Sequence, residues 1–204
     1  MSITTLEGPM GSGKTLSAVA LCYMEHTAGR KIVSNVDMTF PHDKFDPQFL
    51  IEHMLDTQLE DCVILLDESY IYLDSRSSTT KLNKLFTYFI AQTRKRGVDM
   101  FICIHHIDTV DKRLRRALEV RGTCRFRKEI PCTRCKGLKE YKGYPCERCC
   151  GYGEGGWATV TFYNLHTTKK VRVRIHGPKF WGLYSTKERI AVTGKQITID
   201  PEDL

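Results

Sequence analysis

The segment Gly8-Pro9-Met10-Gly11-Ser12-Gly13-Lys14-Thr15 is the strongest indication of the fold class of this chain. Its spacing is that of a P-loop, whose backbone N–H groups surround the phosphates of a nucleotide. In such a loop the lysine reaches the β and γ oxygens, and the threonine hydroxyl contacts Mg²⁺. A short apolar strand at residues 3–6 precedes the segment, and a helical pattern at residues 16–26 follows it. The segment therefore predicts a phosphate-binding loop between a strand and a helix.

On both sides of this segment, apolar strands alternate with helical patterns along the chain. Residues 31–34, 62–66 and 100–104 are predicted strands, the last two apolar enough to be buried on both faces of a parallel sheet. Residues 80–96 form the clearest amphipathic helix, with apolar side chains at helical spacing: Leu82, Leu85, Phe86, Phe89 and Ile90. A shorter helix is predicted at residues 49–54. The alternation predicts an α/β domain with a mainly parallel central sheet flanked by helices.

The sequence pattern changes after Gly122. Residues 124–130 and 158–163 are predicted strands that bracket a cysteine-rich loop, and residues 171–175 alternate apolar with basic side chains, one face in the core and one cationic. We predict an ATPase core at residues 1–121. Residues 122–204 then form a small β-rich extension of the same domain, with the loop 131–153 inserted.

Several polar residues are candidates for the chemistry of a nucleotide site. Asp67 ends the apolar strand at residues 62–66, where a P-loop enzyme places a carboxylate that serves Mg²⁺ together with Thr15. Glu68 is the natural general base for the attacking water. Either His105 or His106 could sense the γ-phosphate. Arg94 or Arg96 could reach a neighbouring subunit's nucleotide as an arginine finger, with a solvated basic helix end as the alternative.

Composition excludes a membrane span and a signal peptide within this sequence, so we expect a soluble, intracellular protein. The formal net charge is +7, which favours an anionic partner. Four basic clusters in the second half of the chain suggest one basic surface: residues 94–96, 112–116, 125–128 and 169–174.

The P-loop, the Asp67-Glu68 pair, residues 94–99 and residues 107–115 together resemble the FtsK/HerA superfamily of ATPases. Within it, the chain is similar to the genome-packaging ATPases of Sulfolobus turreted icosahedral viruses, which are archaeal viruses. Residues 180–188 also resemble a segment that ends these enzymes and the zonular occludens toxin-like phage assembly ATPases. The resemblance implies a RecA-like core, ATP hydrolysis at subunit interfaces and a ring, usually a hexamer, around DNA.

The function implied is a motor that drives double-stranded DNA into a preformed capsid, docked on a capsid or vertex protein. It would work in the host cytoplasm or at a packaging vertex of the virion. Two alternatives stay open: a phage assembly ATPase of the zonular occludens toxin type, and a zinc-containing DNA-binding module whose P-loop is only structural. The relatives often carry glutamine where this chain has His105 and His106.

Nine cysteines include two pairs at the spacing of a four-thiolate Zn²⁺ site: Cys132 with Cys135, and Cys146 with Cys149. Glycines follow both pairs, as in the zinc knuckles of DnaJ-type chaperones. Disulfide bonds are an alternative, because intracellular proteins of hyperthermophilic archaea are often rich in them, and Cys124 and Cys150 provide further thiols. Free thiols are the third possibility for these cysteines. Cys22, Cys62 and Cys103 stand singly in apolar segments and are expected in the core.

Overall fold

The computed structural model describes residues 2–46, 49, 59–68, 86, 88–91 and 94–185. Its strands are β1 Ile3–Glu7, β2 Lys31–Ser34, β3 Asp43–Lys44, β4 Cys62–Leu66, β5 Asp99–Ile104, β6 Val120–Glu129, β7 Glu140–Tyr141, β8 Tyr144–Pro145, β9 Gly155–Asn164 and β10 Lys170–His176. Its helices are α1 Lys14–Thr27 and α2 Lys112–Ala117. Short 3-10 turns lie at Arg94–Arg96, Ile107–Thr109, Gly177–Lys179 and Trp181–Leu183.

Eight strands form one sheet in the order β10-β9-β6-β1-β5-β4-β2-β3. The strands from β6 to β3 run parallel, whereas β9 and β10 are antiparallel to their neighbours. The mainly parallel α/β fold predicted from the alternation of strands and helices is therefore confirmed. Every residue of β1 and β4 is buried, as expected for strands covered on both faces.

Apolar side chains pack against both faces of this sheet. α1 covers one face with Leu16, Val19 and Ala20. The other face is covered by Phe86, Phe89 and Ile90, which lie on helical residues. These three residues agree with the amphipathic pattern predicted for residues 80–96, while most of that segment and the predicted helix at residues 49–54 lie outside the described residues.

The structure departs from the sequence pattern in three places. Residues 94–96 form a 3-10 turn rather than the end of an α-helix. The two-residue strand β3 was not predicted. Val171 in β10 is 59% exposed, so the core face of that strand is limited to Val173 and Ile175. The division at residue 121 stays a prediction, because β6 crosses that position within the continuous sheet.

Among the described residues, no helix is both long and apolar enough to cross a membrane.

Candidate nucleotide site and cysteine cluster

Four parallel strands end at the same edge of the sheet and bring polar residues together. The P-loop follows β1, Asn35 follows β2, Asp67 follows β4 and His105 follows β5. Ligand sites of open α/β sheets form at this carboxyl edge. The parallel topology thus unites residues that are far apart in sequence.

The P-loop has the backbone geometry that phosphate binding requires. Gly11 and Gly13 have φ angles of 73° and 82°, which residues with a side chain rarely adopt. A Cβ on Gly8 would meet the Ser12 hydroxyl at 2.6 Å, so this close turn needs glycine. Ser12 Oγ is buried and has no hydrogen-bond partner within the described part of the chain, as befits a donor to a ligand. Lys14 Nζ donates to the carbonyls of Gly8 and Pro9 at 2.9 and 3.0 Å.

Thr15 and Asp67 meet as the sequence predicted. The Thr15 hydroxyl donates to Asp67 Oδ2 at 2.6 Å, and Asp67 is buried. The Asn35 side chain clamps the Asp67 backbone, accepting from its N–H and donating to its carbonyl, both at 2.8 Å. The other oxygen of the Asp67 carboxylate accepts from the Glu68 N–H at 2.9 Å. A hydroxyl and a carboxylate held this way fit the hard oxygen ligands that Mg²⁺ prefers.

Asn35 is a site residue that sequence reasoning missed. It stands at the start of a segment with loop character, where asparagine is common and attracts no notice. The signal that points to it is its position directly after a parallel strand, since every such strand end faces the same edge.

Glu68 lies where β4 turns away from the sheet, with a φ of 46°. This left-handed conformation is uncommon for a residue with a side chain and is found at functional sites. Glu68 lines two cavities of about 550 and 290 Å³, and Lys14 and Thr15 line both of them as well.

The two histidines at the end of β5 occupy different places. His105 lines the smaller cavity with Lys14, Thr15 and Glu68. His106 instead caps the following 3-10 turn: its Nδ1 accepts from the Asp108 N–H at 3.3 Å and lies 3.0 Å from the Asp108 carboxylate. Of the two candidates, the structure brings His105 to the P-loop, while a catalytic role for His106 stays a prediction.

Three aromatic side chains and one lysine line part of the larger cavity. Phe126 and Lys128 come from β6, and Trp181 and Tyr184 come from the segment after β10. Burial raises the pKa of the Tyr184 phenol to about 12, with the negative charge of Asp67 adding to the shift, so the phenol stays protonated at neutral pH. Flat apolar side chains of this kind suit the base of a nucleotide. The sequence marked residues 180–188 only by resemblance, without a role.

Arg94 and Arg96 lie at the opposite edge of the sheet from the P-loop. Their turn precedes β5, and the Arg96 carbonyl accepts from the N–H of Asp61, just before β4. Six residues of β5 separate this turn from His105, which is roughly 20 Å at the rise of an extended strand. These arginines are therefore placed away from their own P-loop.

The four cysteines of the two predicted pairs converge. Cys132, Cys135, Cys146 and Cys149 are buried, and their sulfur atoms all lie within 4.8 Å of one another. A tetrahedral zinc site with Zn–S bonds of about 2.3 Å needs sulfur atoms about 3.8 Å apart. The sulfurs of Cys132 and Cys146 are 4.0 Å apart, and those of Cys135 and Cys149 are 3.6 Å apart. This geometry fits one tetracoordinate ion.

The other thiols stand apart from this cluster. Cys124 is buried in the main core, and Cys150 is exposed on the loop surface. They do not adjoin each other. Both thiols therefore lie outside the four-cysteine cluster, and their part in disulfide bonding stays a prediction.

The cysteine loop is anchored to the domain on two sides. The Arg148 guanidinium lowers the pKa of Glu129 to about 2 through a hydrogen bond of 2.6 Å, with further bonds from Thr133. On the other side, the Tyr152 ring packs edge-on against Trp181, with 5.3 Å between centroids. The loop thus touches a side chain that lines the larger cavity.

Comparison with known proteins adds a family and several related folds. The profile of the family described as zonular occludens toxin (Zot) matches residues 2–171. The N-terminal domain of zonular occludens toxin from Neisseria meningitidis is similar in structure, with a TM-score of 0.58, 15% identity and coverage of 90% of this chain and 98% of that one. No curated protein sequence matches the chain.

Viral packaging enzymes are similar in fold as well. The genome packaging NTPase B204 from Sulfolobus turreted icosahedral virus 2, in complex with ATP-gammaS, has a TM-score of 0.54 and 10% identity, covering 84% of this chain and 96% of that one. B204 from Sulfolobus turreted icosahedral virus, described as a DNA-packaging ATPase, has a TM-score of 0.52 and 10% identity over the same shares. At such identities the likeness shows the fold, which is that of a P-loop NTPase.

Proposed function

This chain belongs to the zonular occludens toxin (Zot) family, and we propose that it is an ATP-hydrolysing motor of virus or phage assembly. The observation that carries the proposal is the convergence of Thr15, Asp67 and Glu68 beside the P-loop. A purely structural P-loop would not need a carboxylate pair aligned with it. This favours an enzyme over the zinc-containing binding module with an inactive P-loop.

Different residues of the site bind the phosphates, bind Mg²⁺ and activate the attacking water. The backbone N–H groups of residues 10–15 and the Lys14 ammonium hold the phosphates, and Thr15 and Asp67 would hold Mg²⁺, which neutralises phosphate charge. Glu68 accepts a proton from water as the water oxygen bonds to the γ-phosphorus. The bond from that phosphorus to the β-γ bridging oxygen breaks, and ADP leaves with the bonding electrons.

We infer that the motor moves double-stranded DNA into a preformed capsid, as a ring, usually a hexamer, docked on a capsid or vertex protein in the host cytoplasm or at a virion vertex. In this proposal residues 1–121 form the ATPase core, and the later strands extend the same domain. Family membership also supports a second candidate, a phage assembly ATPase of the zonular occludens toxin type.

DNA-stimulated hydrolysis tests the motor. Purified protein should hydrolyse ATP slowly alone and several-fold faster with duplex DNA, because a translocating motor couples turnover to its track. Phosphate release measured with duplex DNA, with a polyanion such as heparin and without either gives the comparison. Equal rates in all three would contradict a DNA motor while leaving the ATPase intact.

Arg96 is the proposed arginine finger, with Arg94 as its substitute. Since the turn lies roughly 20 Å from its own P-loop, Arg96 could act only on the γ-phosphate of a neighbouring subunit. Arg96→Ala should bind ATP normally and hydrolyse it poorly, and mixing it with Glu68→Gln protein should restore some turnover at interfaces that pair intact Arg96 with intact Glu68. Steady-state ATPase rates across mixing ratios measure this.

Dilution gives the control for this shared site. Wild-type activity should fall as the ring dissociates. Full activity of a monomeric enzyme, or of Arg94→Ala and Arg96→Ala alike, would show that both arginines belong only to a solvated basic turn.

We also propose that the cysteine cluster binds Zn²⁺ through the sulfurs of Cys132, Cys135, Cys146 and Cys149. The support is the mutual distance of at most 4.8 Å among four buried thiols. An ion there would fold a loop that has little apolar core of its own, because four Zn–S bonds replace hydrophobic burial.

A further inference from the structure

Three strands at one end of the sheet present a face that ATP hydrolysis does not use. β6, β9 and β10 pair antiparallel, and residues opposite each other in such strands point to the same side. Four rows of side chains cross this face: Arg121, Tyr163 and Lys170; Thr123, Thr161 and Arg172; Arg125, Thr159 and Arg174; Arg127, Trp157 and His176. We call these residues the cationic face.

The charge of the cationic face is unbalanced. Cations occupy the two outer strands, neutral residues fill the middle strand, and no carboxylate lies in any of the four rows. Arg121 is ion-paired with the buried Glu7 at 2.5 Å. In the described part of the chain, five other cations of this face have no ion pair: Arg125, Arg127, Lys170, Arg172 and Arg174. All five are exposed, and together they give this face a positive potential that attracts an anionic partner.

Two aromatic rings fix the positions of cations on this face. The Arg174 guanidinium lies 4.9 Å from the centre of the Trp157 ring, and Lys170 Nζ lies 5.1 Å from that of Tyr163. Trp157 is also packed against His176, with 4.6 Å between ring centroids. Trp157 is therefore flanked by protein side chains, whereas Tyr163 stays partly exposed, so the face does not offer the series of open rings on which successive bases of a single strand stack. This arrangement favours phosphate contacts.

The dimensions of the cationic face suit an extended polyanion. Adjacent strands are about 4.8 Å apart, so its outer rows are about 10 Å apart, with cations about 7 Å apart along each strand. A duplex carries a phosphate charge about every 1.7 Å of its axis, which gives such a field many partners at once. At the Arg127 end the face opens into a cavity of about 440 Å³ that Thr133 and Arg148 of the cysteine loop also line.

We propose that the cationic face binds duplex DNA through its phosphate backbone, without reading base sequence. This inference rests on the proposed function, because it assigns the motor's track to a defined surface. Two neighbours in β6 connect that surface to the nucleotide site: Arg127 belongs to the cationic face, and Lys128 lines the larger cavity on the other side of the sheet.

The test compares two variants with the same loss of charge. Arg172→Gln/Arg174→Gln keeps most of each aliphatic stem on an exposed strand, and the control Lys31→Gln/Lys44→Gln removes two cations at the other end of the sheet. Binding of a fluorescent random-sequence duplex is measured by anisotropy over a range of salt concentrations. Thermal unfolding checks that each variant is folded.

We expect Arg172→Gln/Arg174→Gln to lower the slope of log affinity against log salt by about 1.8, and the affinity by roughly 50-fold near 0.1 M salt. The control should bind like the wild type. A folded Arg172→Gln/Arg174→Gln protein with the wild-type slope and affinity would overturn the assignment while leaving DNA binding in place. Preference of the wild type for single strands would overturn the duplex as occupant, and no DNA binding by the wild type would overturn the proposed motor as well.

Discussion

Glu68→Gln should lower ATP turnover by on the order of 10² or more and leave ATP affinity within a few fold of wild type. The amide keeps the size and polarity of the carboxylate but cannot accept the proton of the attacking water. Binding should survive because Lys14, Thr15 and Asp67 are unchanged beside the P-loop. Turnover is measured by phosphate release, and affinity by competition with a fluorescent nucleotide.

Glu140→Gln is the matched control, since it removes one exposed carboxylate on β7 in the cysteine loop. It should hydrolyse ATP at the wild-type rate. If Glu68→Gln were equally active, Glu68 would have no part in the chemistry, and the general base would have to be sought elsewhere along the same cavity.

Removal of zinc should disrupt the cysteine loop. Purified protein is expected to hold about one zinc per chain, with an apparent binding free energy on the order of 10 kcal/mol. A strong chelator should strip the ion, expose the four buried thiols to a thiol reagent and change the fluorescence of Trp181, whose ring touches Tyr152 of the loop. Metal analysis, thiol titration and fluorescence measure these three effects.

Cys150 provides the control for the zinc experiment. It adjoins Cys149 in sequence but is exposed, and its Sγ lies 3.7 Å from the Glu147 carbonyl rather than in the cluster. Cys150→Ser should therefore keep its metal, whereas Cys149→Ser should lose it. Absence of metal from wild type, with a mass lower by the missing thiol hydrogens, would assign the loop to disulfides instead.

The buried strands and the P-loop were predictable because each is specified by local sequence. The apolar run of β4 followed by Asp67 and Glu68 has one natural place in a parallel sheet, at its carboxyl edge. The two cysteine pairs were equally predictable as metal ligands, since the spacing within each pair is a local property of the sequence. Each of these features can be recognised from one or two short stretches of sequence.

Other features depend on tertiary contacts that no local pattern records. β3 has two residues, and its register comes only from pairing with β2. Asn35 matters because β2 happens to lie beside β4, and His105 rather than His106 faces the P-loop because of where β5 ends. Of the basic clusters expected on one surface, residues 125–128 and 169–174 do meet, but the turn at Arg94–Arg96 lies at the opposite edge of the sheet from the P-loop.

The two outermost strands affect how chains can associate. In the described part of the chain the sheet ends in β3, which offers only two residues, and in β10, which carries Lys170, Arg172 and Arg174 at alternate positions. An unpaired strand edge invites another chain to continue the sheet, and short edges or repeated lysine and arginine oppose this. We therefore expect copies of this chain to associate through side chains rather than by extending the sheet from one copy into the next.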